Sequence, residues 1–358
     1  MSILDRYILK KFLSSFVFVV LVLIIIVCII DFTEKNDDFM RNNLSAVEIL
    51  GYYKNFIPWI VNLITPITVF IATVFVTAKL AGHTEIIAIL SSGVSFHRLM
   101  VPYLIGASII ASFSFYMTGW VIPSASKEKV AFEQKYIKSP FYFNDRDIHL
   151  KVAPNTYLYM QSYNNRSNVG YKPTLENIEG NELKARLSAS RIEWQKDSAN
   201  WLLKNWELRE FHGLEETVKK GQQMDTTLQL SPADFQNQAH KNETLTIPQL
   251  DEYMALLKNR GADNVEEFYI EKLVRYMSPF AAIVLTFIGL IVSSRKQRGG
   301  AGLQIAQGFV IAFAFILFFI MSRAIAEASD SMPPLLGVWL PNIIFSCLGL
   351  VMYRNVPK

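Results

Sequence analysis

The sequence predicts an α-helical polytopic membrane protein of six transmembrane helices with a mainly β domain inserted between the third and the fourth. Apolar runs long enough to span a bilayer occur in two groups of three, and a polar block rich in Trp, Tyr, Asn and Thr separates the groups. A helix needs about 20 residues to cross roughly 30 Å of hydrocarbon. Because a bilayer offers the backbone no hydrogen-bond partner, each run is expected to be a helix. The runs are residues 12–30, 56–78, 99–122, 276–292, 305–321 and 335–353.

This pattern divides the chain into three parts. The expected parts are an N-terminal membrane half (residues 1–122), an outer domain (123–267) and a C-terminal membrane half (268–358). Hydrophobic residues make up 51% of the chain and charged residues 18%, as expected when spans are combined with a water-exposed domain. The net charge of +4 does not require a nucleic acid partner, since positive charges are expected beside the cytoplasmic ends of the spans.

The positive charges predict the orientation of the spans. The loop after the first run carries five acidic residues against only Lys35 and Arg41. Lys and Arg mark the cytoplasmic side, so both termini are expected inside and the outer domain outside. A cleaved signal peptide is the alternative for the first run, but its apolar core is too long and no small-residue cleavage site follows. The cationic segments that should face the cytoplasm contain Arg6, Lys10, Lys11, Lys79, Arg98, Arg295, Lys296, Arg298, Arg354 and Lys358.

The outer domain has the alternation of β-strands. Apolar residues alternate with polar ones in residues 148–153 and 224–230, which puts one face of each strand in a core and the other in water. Residues 156–161, 183–194 and 201–211 are rich in aromatic or β-branched residues, and turn residues separate them. Several strands at this spacing indicate a sandwich, a barrel or a jellyroll. After Pro248, Leu250, Met254 and Leu257 fall on one face of a helix that Gly261 is expected to end.

Motifs for catalysis and for nucleotide or metal binding are missing from the sequence. It has no GxxxxGK[ST] phosphate loop, no HExxH pair and no GxSxG elbow, and its five histidines are scattered. The glycine-rich residues 299–302 are interpreted as a tight turn, and Cys28 and Cys347 both lie within apolar runs. We therefore expect a transporter, channel, scaffold or sensor without catalytic residues or a metal, and not an enzyme.

The connection between the second and third runs, residues 79–93, predicts a short cytoplasmic helix. Thr84 is expected to cap it, and Glu85 lies in its first turn, where a carboxylate complements the helix dipole. Gly93 is expected to end it. Such a helix could dock into a groove on a partner and convey force to two spans. The alternative is an interfacial helix that only holds the bundle together.

Several short motifs follow one another in a specific order along the three–domain–three layout. The motifs are Leu4-Asp5-Arg6-Tyr7-Ile8, Glu85 with Ser91-Ser92-Gly93, Gly119-Trp120-Val121-Ile122-Pro123, Tyr253 with residues 256–261, Arg275 with Pro279, Pro333-Pro334 and Leu340-Pro341. In this order and layout, the sequence resembles the lipopolysaccharide-export permeases LptF and LptG over essentially the whole chain, and its opening is closer to LptG.

The resemblance implies an ABC exporter of the bacterial inner membrane with a periplasmic β-jellyroll. This chain would pair with a paralogous LptF-like permease above a cytosolic LptB-like ATPase dimer. Lipopolysaccharide would enter between the paired bundles and pass to a periplasmic bridge of LptC- and LptA-like proteins. The chain would carry no cofactor, because ATP would be bound by the partner.

Three groups of site residues follow from the helix, the charges and the resemblance together. Glu85, Thr84 and Ile86 are expected to couple the chain to the ATPase. The residues expected to line a path for acyl chains are Ile148, Leu150, Val152, Leu228 and Leu230. The alternative is that these residues only pack a closed core. Lipid headgroups are expected to meet Arg275, Lys54 and Arg323, with Lys135 and Lys138 ranked below them, and the alternative for all of these is interfacial snorkelling.

Asp31 departs from the family pattern, since members of the LptG type can carry a basic residue there. Two functions of other classes also fit the sequence. One is a mechanotransmission subunit that works its outer domain as a lever without moving lipid, and the other is a membrane-anchored binding scaffold without energy coupling.

Overall fold

The computed structural model describes most of the chain and forms two compact units. A membrane unit contains Met1–Ile137, Glu243–Ile247 and Tyr269–Lys358, and a β unit contains Lys138–Asn242 and Pro248–Phe268. The described residues are 2–137, 146–153, 155–180, 182–195, 198–213, 215–228, 230–235, 241–260, 265–294, 300–328 and 332–354.

The N-terminal half contains two long helices joined by a short turn. Helix α1 spans Ile3–Arg41 and α2 spans Ala46–Gly82. Each begins with a capping box, in which Ser2 with Asp5, and Ser45 with Glu48, satisfy backbone donors of the first turn. With 39 and 37 residues, both helices are longer than the hydrocarbon thickness requires, so their ends project beyond it.

A short helix and a continuous third span follow. Helix α3 is Glu85–Ser91, and the third span consists of α4 (Phe96–Tyr116), a π-helical segment (Met117–Val121) and α5 (Ile122–Tyr136). The expected boundary at residue 122 therefore falls inside a helix, and the membrane unit continues to Ile137. Pro123 does not end the helix, because it lies in the first turn of α5, where its missing N–H is tolerated.

Five more α-helices follow the strands in the described chain. They are α6 (Lys241–Thr244), α7 (Ile247–Arg260), α8 (Val265–Ser293), α9 (Gly300–Ala328) and α10 (Pro334–Arg354). Helix α7 confirms the helix predicted after the outer-domain strands, while its expected stop, Gly261, lies outside the described residues. Within the described part of the chain, six helices are long and apolar enough to cross a membrane, and each predicted run lies in one of them. The six predicted spans are confirmed.

Close packing in the membrane unit depends on small residues where helices meet. Phe12 of α1 is fully buried, and a Cβ at Gly106 of α4 would lie 2.6 Å from its ring. Only glycine therefore allows α1 and α4 to approach this closely. The surrounding apolar cluster also contains Ile86 of α3 and Leu80 of α2, so the short helix is anchored in the core of the bundle.

The β unit is built on one seven-stranded antiparallel sheet. The strands are β1 (Arg146–Ala153), β2 (Thr156–Asn164), β3 (Val169–Tyr171), β4 (Thr174–Glu179), β5 (Glu182–Gln195), β6 (Asn200–His212) and β7 (Glu215–Thr226). The short strands β3 and β4 both pair with β2 on one side and with β5 on the other. The predicted antiparallel β structure is confirmed. The described strands follow their chain order across the sheet, and closure into a jellyroll stays a prediction.

Candidate functional site

Helix α3 has the position and the end predicted for a docking helix, but not the predicted cap. Thr84 precedes the helix with a left-handed backbone (φ 61°), and its hydroxyl donates to the His83 carbonyl at 2.6 Å instead of capping the first turn. The expected side-chain cap is therefore wrong, because the left-handed conformation directs the hydroxyl away from the helix. Gly93 also has a left-handed backbone (φ 90°), and its N–H donates to the Leu90 carbonyl, as expected for a C-terminal glycine.

The carboxylate of Glu85 is accessible but not unpartnered. Its side chain is 34% exposed, and each of its oxygens meets a group from α1. The Tyr7 hydroxyl donates to Oε2 at 3.0 Å, and Lys11 Nζ lies 3.7 Å from Oε1. Lys11 also donates to the Tyr7 hydroxyl, so Tyr7, Lys11 and Glu85 form one connected group, which we call the Glu85 cluster. This cluster could not be predicted from the sequence, because 78 residues separate Tyr7 from Glu85.

The surroundings of the Glu85 cluster hold it in place. Ile86 is only 2% exposed and packs in the bundle core, whereas its neighbour Ile87 is 51% exposed. On the other side of α1, buried Asp5 accepts from Arg98 of α4 at 2.7 Å. Glu85 therefore stands at the surface of a helix that one apolar side chain anchors, beside an α1 segment that a second ion pair fixes to α4.

The predicted headgroup residues Arg275 and Arg323 lie together, although Arg275 is not at the surface. Arg275 is 2% exposed, pairs with Glu271 at 3.2 Å and donates from Nη1 to the Leu245 carbonyl at 2.5 Å. Arg323 of α9 pairs with the same Glu271 at 3.3 Å and with Glu327 at 2.8 Å. We call Glu271, Arg275, Arg323 and Glu327 the arginine cluster. Since Leu245 lies in the Glu243–Ile247 segment of the membrane unit, Arg275 ties that segment to α8.

The other two described cations lie apart from this cluster. Lys54 is exposed on α2, and Lys135 is exposed on α5 with its ammonium 4.6 Å from the Tyr136 ring centroid. Lys138 lies outside the described residues. The side chain of Arg323 is 31% exposed, so solvent or a headgroup can reach it, whereas Arg275 is out of reach.

The predicted acyl-lining residues all belong to one apolar cluster of the β unit. Ile148, Val152 and Leu230 are buried in it, and Leu150 and Leu228 pack half-buried against it. Leu228 and Leu230 follow β7 instead of lying on it, and Leu230 accepts a hydrogen bond from the indole of buried Trp201 at 2.8 Å.

One phenol lies among these apolar residues. Tyr163 stacks on Phe235 with ring centroids 4.0 Å apart, and burial raises the pKa of the Tyr163 phenol above its ordinary value. It therefore stays neutral in this core, which keeps the interior uncharged.

Two spans present long apolar surfaces that the rest of the described chain does not cover. Only 6% of the most apolar stretch of α1 is buried, and 22% of that of α9. The exposed side chains include Phe18, Ile25, Ile29, Val310, Phe313 and Ile320. Surfaces of this kind suit lipid or another membrane helix.

The family model for the lipopolysaccharide export system permease LptF/LptG matches residues 6–355. The chain belongs to the LptF/LptG family. No curated protein sequence matches the chain. The family match covers both membrane halves and the β unit, so the three–domain–three layout is the layout of a lipopolysaccharide export permease, a transporter subunit.

Within this LptF/LptG permease, Asp31 is part of a buried charged cluster that we call the Asp31 cluster. Lys35 pairs with Asp31 at 2.6 Å and with Glu133 at 3.6 Å, and Lys129 lies 3.8 Å from Glu133. These four side chains contribute to the walls of a pocket of about 310 Å³. Asp31 therefore has a cation of its own, Lys35, one helical turn further along α1. The spacing of four residues between Asp31 and Lys35 is the signal that could have revealed this pair.

Proposed function

We propose that this permease is the transmembrane subunit of an ABC exporter that takes lipopolysaccharide from the bacterial inner membrane and passes it to a periplasmic bridge. Both termini are cytoplasmic in this proposal, and the β unit is periplasmic. The family match supports export of lipopolysaccharide, and the surface position of Glu85 supports energy supply by a partner. Glu85 is the single observation that carries the ATPase part of the proposal.

The proposed coupling works through a carboxylate on a short, anchored helix. An arginine in a groove of a cytosolic ATPase dimer could bind both oxygens of Glu85, a geometry that suits a guanidinium better than an ammonium. Ile86 holds α3 in the bundle core, so force applied at Glu85 reaches α2 and α4. The permease itself would bind no nucleotide and no other cofactor.

The proposed lipid route uses the open apolar surfaces of α1 and α9. A paralogous permease facing these two spans would enclose a sleeve wide enough for acyl chains, and cations at its rim would meet phosphates. Among the predicted cations that the structure describes, Arg323, Lys54 and the lower-ranked Lys135 are reachable. A wide, lipid-accessible cavity between these surfaces and the partner would favour a lipid-moving subunit, and a tightly packed interface would favour a lever that moves nothing through its spans.

Affinity purification from native membranes tests the proposal. The tagged permease should co-purify with an ATPase and a second six-span protein in stoichiometric amounts, and lipopolysaccharide should co-elute. Recovery of the chain alone, without either protein, would support a binding scaffold and contradict the exporter.

A further inference from the structure

The structure points to a partner exchange at Glu85, and we infer that Lys11 and Tyr7 of α1 hold the docking carboxylate until the ATPase replaces them. This inference rests on the proposed function, because it assumes that Glu85 is the group that a basic side chain of the ATPase binds. The inference gives α1 a role beside α3 at the docking surface.

Helix α1 already places a group beside each oxygen of Glu85. Oε2 accepts from the Tyr7 hydroxyl at 3.0 Å, and Oε1 faces Lys11 Nζ at 3.7 Å. A guanidinium that binds a carboxylate in the bidentate manner needs both oxygens. The ATPase arginine and the α1 pair therefore compete for the same two atoms.

The contact of α1 with Glu85 is weak enough to be exchanged. The Lys11 and Glu85 side chains are 37% and 34% exposed. Ion pairs at that exposure contribute little because water and salt screen them. A guanidinium in a groove that excludes water would hold the same carboxylate more strongly, so the exchange is favourable only once the partner has docked.

The exchange loosens α1 from α3. Among the six candidate spans in the described chain, the most apolar stretch of α1 has the smallest buried share. Losing the Glu85 contact removes a polar contact between α1 and α3, while buried Phe12 and the Asp5–Arg98 pair still hold this end of α1 against α4. Docking of the ATPase would thereby loosen α3 from the helix that lines the proposed lipid path.

The chain offers a matched control for this inference. Lys10 is the neighbouring lysine on α1, carries the same charge and is exposed, and no contact between it and Glu85 occurs in the described structure. Lys10→Met and Lys11→Met thus remove the same charge from the same helical turn, and only Lys11→Met also removes the contact with Glu85.

The affinity of the full-length permease for the purified ATPase, measured in lipid nanodiscs, tests the exchange. Lys11→Met should bind the ATPase about two- to fivefold more tightly than Lys10→Met, since an exposed ion pair of roughly 0.4–1 kcal/mol no longer has to be broken. Tyr7→Phe should shift affinity in the same direction. Equal or weaker binding by Lys11→Met than by Lys10→Met would overturn the inference.

Two further measurements separate this inference from the proposed function. Glu85→Gln should weaken ATPase binding, and unchanged binding would contradict the docking role itself. If Glu85→Gln weakens binding while Lys11→Met does not strengthen it, only the exchange is wrong. Spin labels at Lys10 and Ile87, in a background with Cys28 and Cys347 replaced by Ser, should move apart when the ATPase is added, and an unchanged distance would contradict release of α1.

Discussion

Replacing Arg275 by Met should destabilise the membrane unit, because its guanidinium acts inside the protein. The side chain is 2% exposed and contacts Glu271 at 3.2 Å and the Leu245 carbonyl at 2.5 Å. Breaking a buried ion pair by removing one partner costs about 3–5 kcal/mol. Glu271 keeps Arg323 at 3.3 Å, so we expect the lower end of that range, about 3 kcal/mol.

The assay is the free energy of unfolding of purified protein in mixed micelles with increasing denaturing detergent. Lys54→Met is the matched control, since Lys54 is an exposed cation, and it should stay within about 0.5 kcal/mol of the parent protein. The double variant Arg275→Met with Glu271→Leu should lose less than the sum of the two single variants, because both members of the buried pair are then gone and Arg323 keeps Glu327 at 2.8 Å.

Lipopolysaccharide retention, measured on the same samples, decides between the two roles of Arg275. A headgroup contact predicts that Arg275→Met unfolds like the parent protein but retains far less lipopolysaccharide. That result would refute the argument from burial. Loss of stability with normal retention per folded molecule would confirm that Arg275 ties the Leu245 segment to α8.

Three other predictions concern coupling, cargo and topology. Glu85→Arg should accumulate normally in the membrane yet fail to co-purify with the ATPase, because like charges would then meet in the groove. A compensating acidic residue on the ATPase should restore part of the binding. Normal co-purification of Glu85→Arg would contradict the docking role. A photo-crosslinker at Leu150 or Leu228 should capture lipopolysaccharide during ATP turnover, whereas an active protein that never gives this product would show that both residues belong to a closed core. A cysteine at Lys220 should react with an impermeant reagent from the periplasmic side and one at Ser92 should not, and the reverse pattern would overturn the proposed orientation.

Hydropathy and alternation were sufficient to predict most of the elements. The six spans could be predicted because each apolar run is as long as a bilayer requires, a constraint that acts on the sequence locally. Strands β5 and β6 could be predicted because clear turn residues separate them and aromatic residues lie in them, namely Trp194, Trp201, Trp206 and Phe211. The end of the third span could not, since Pro123 is compatible both with a helix end and with the first turn of a new helical segment.

The candidate site was predicted less completely, because its side chains meet across long stretches of chain. Position, helix polarity and the family resemblance together singled out Glu85, but its contacts with Tyr7 and Lys11 depend on how α1 packs against α3. Arg275 was predicted to meet lipid headgroups, because its contact with the Leu245 carbonyl, thirty residues earlier, leaves no sign in the local sequence. The spacing of four residues between Glu271 and Arg275 was the one local sign that the arginine has an internal partner.

Reconstituted transport tests the central claim most directly. The permease, its paralogous partner and the ATPase would be placed in liposomes that contain lipopolysaccharide, and transfer of lipopolysaccharide to a soluble periplasmic acceptor would be measured. We predict transfer that requires ATP and is lost with Glu85→Arg while the complex of the two permeases stays intact. ATP hydrolysis that depends on the permease but leaves all lipopolysaccharide in the membrane would contradict the account and indicate a lever.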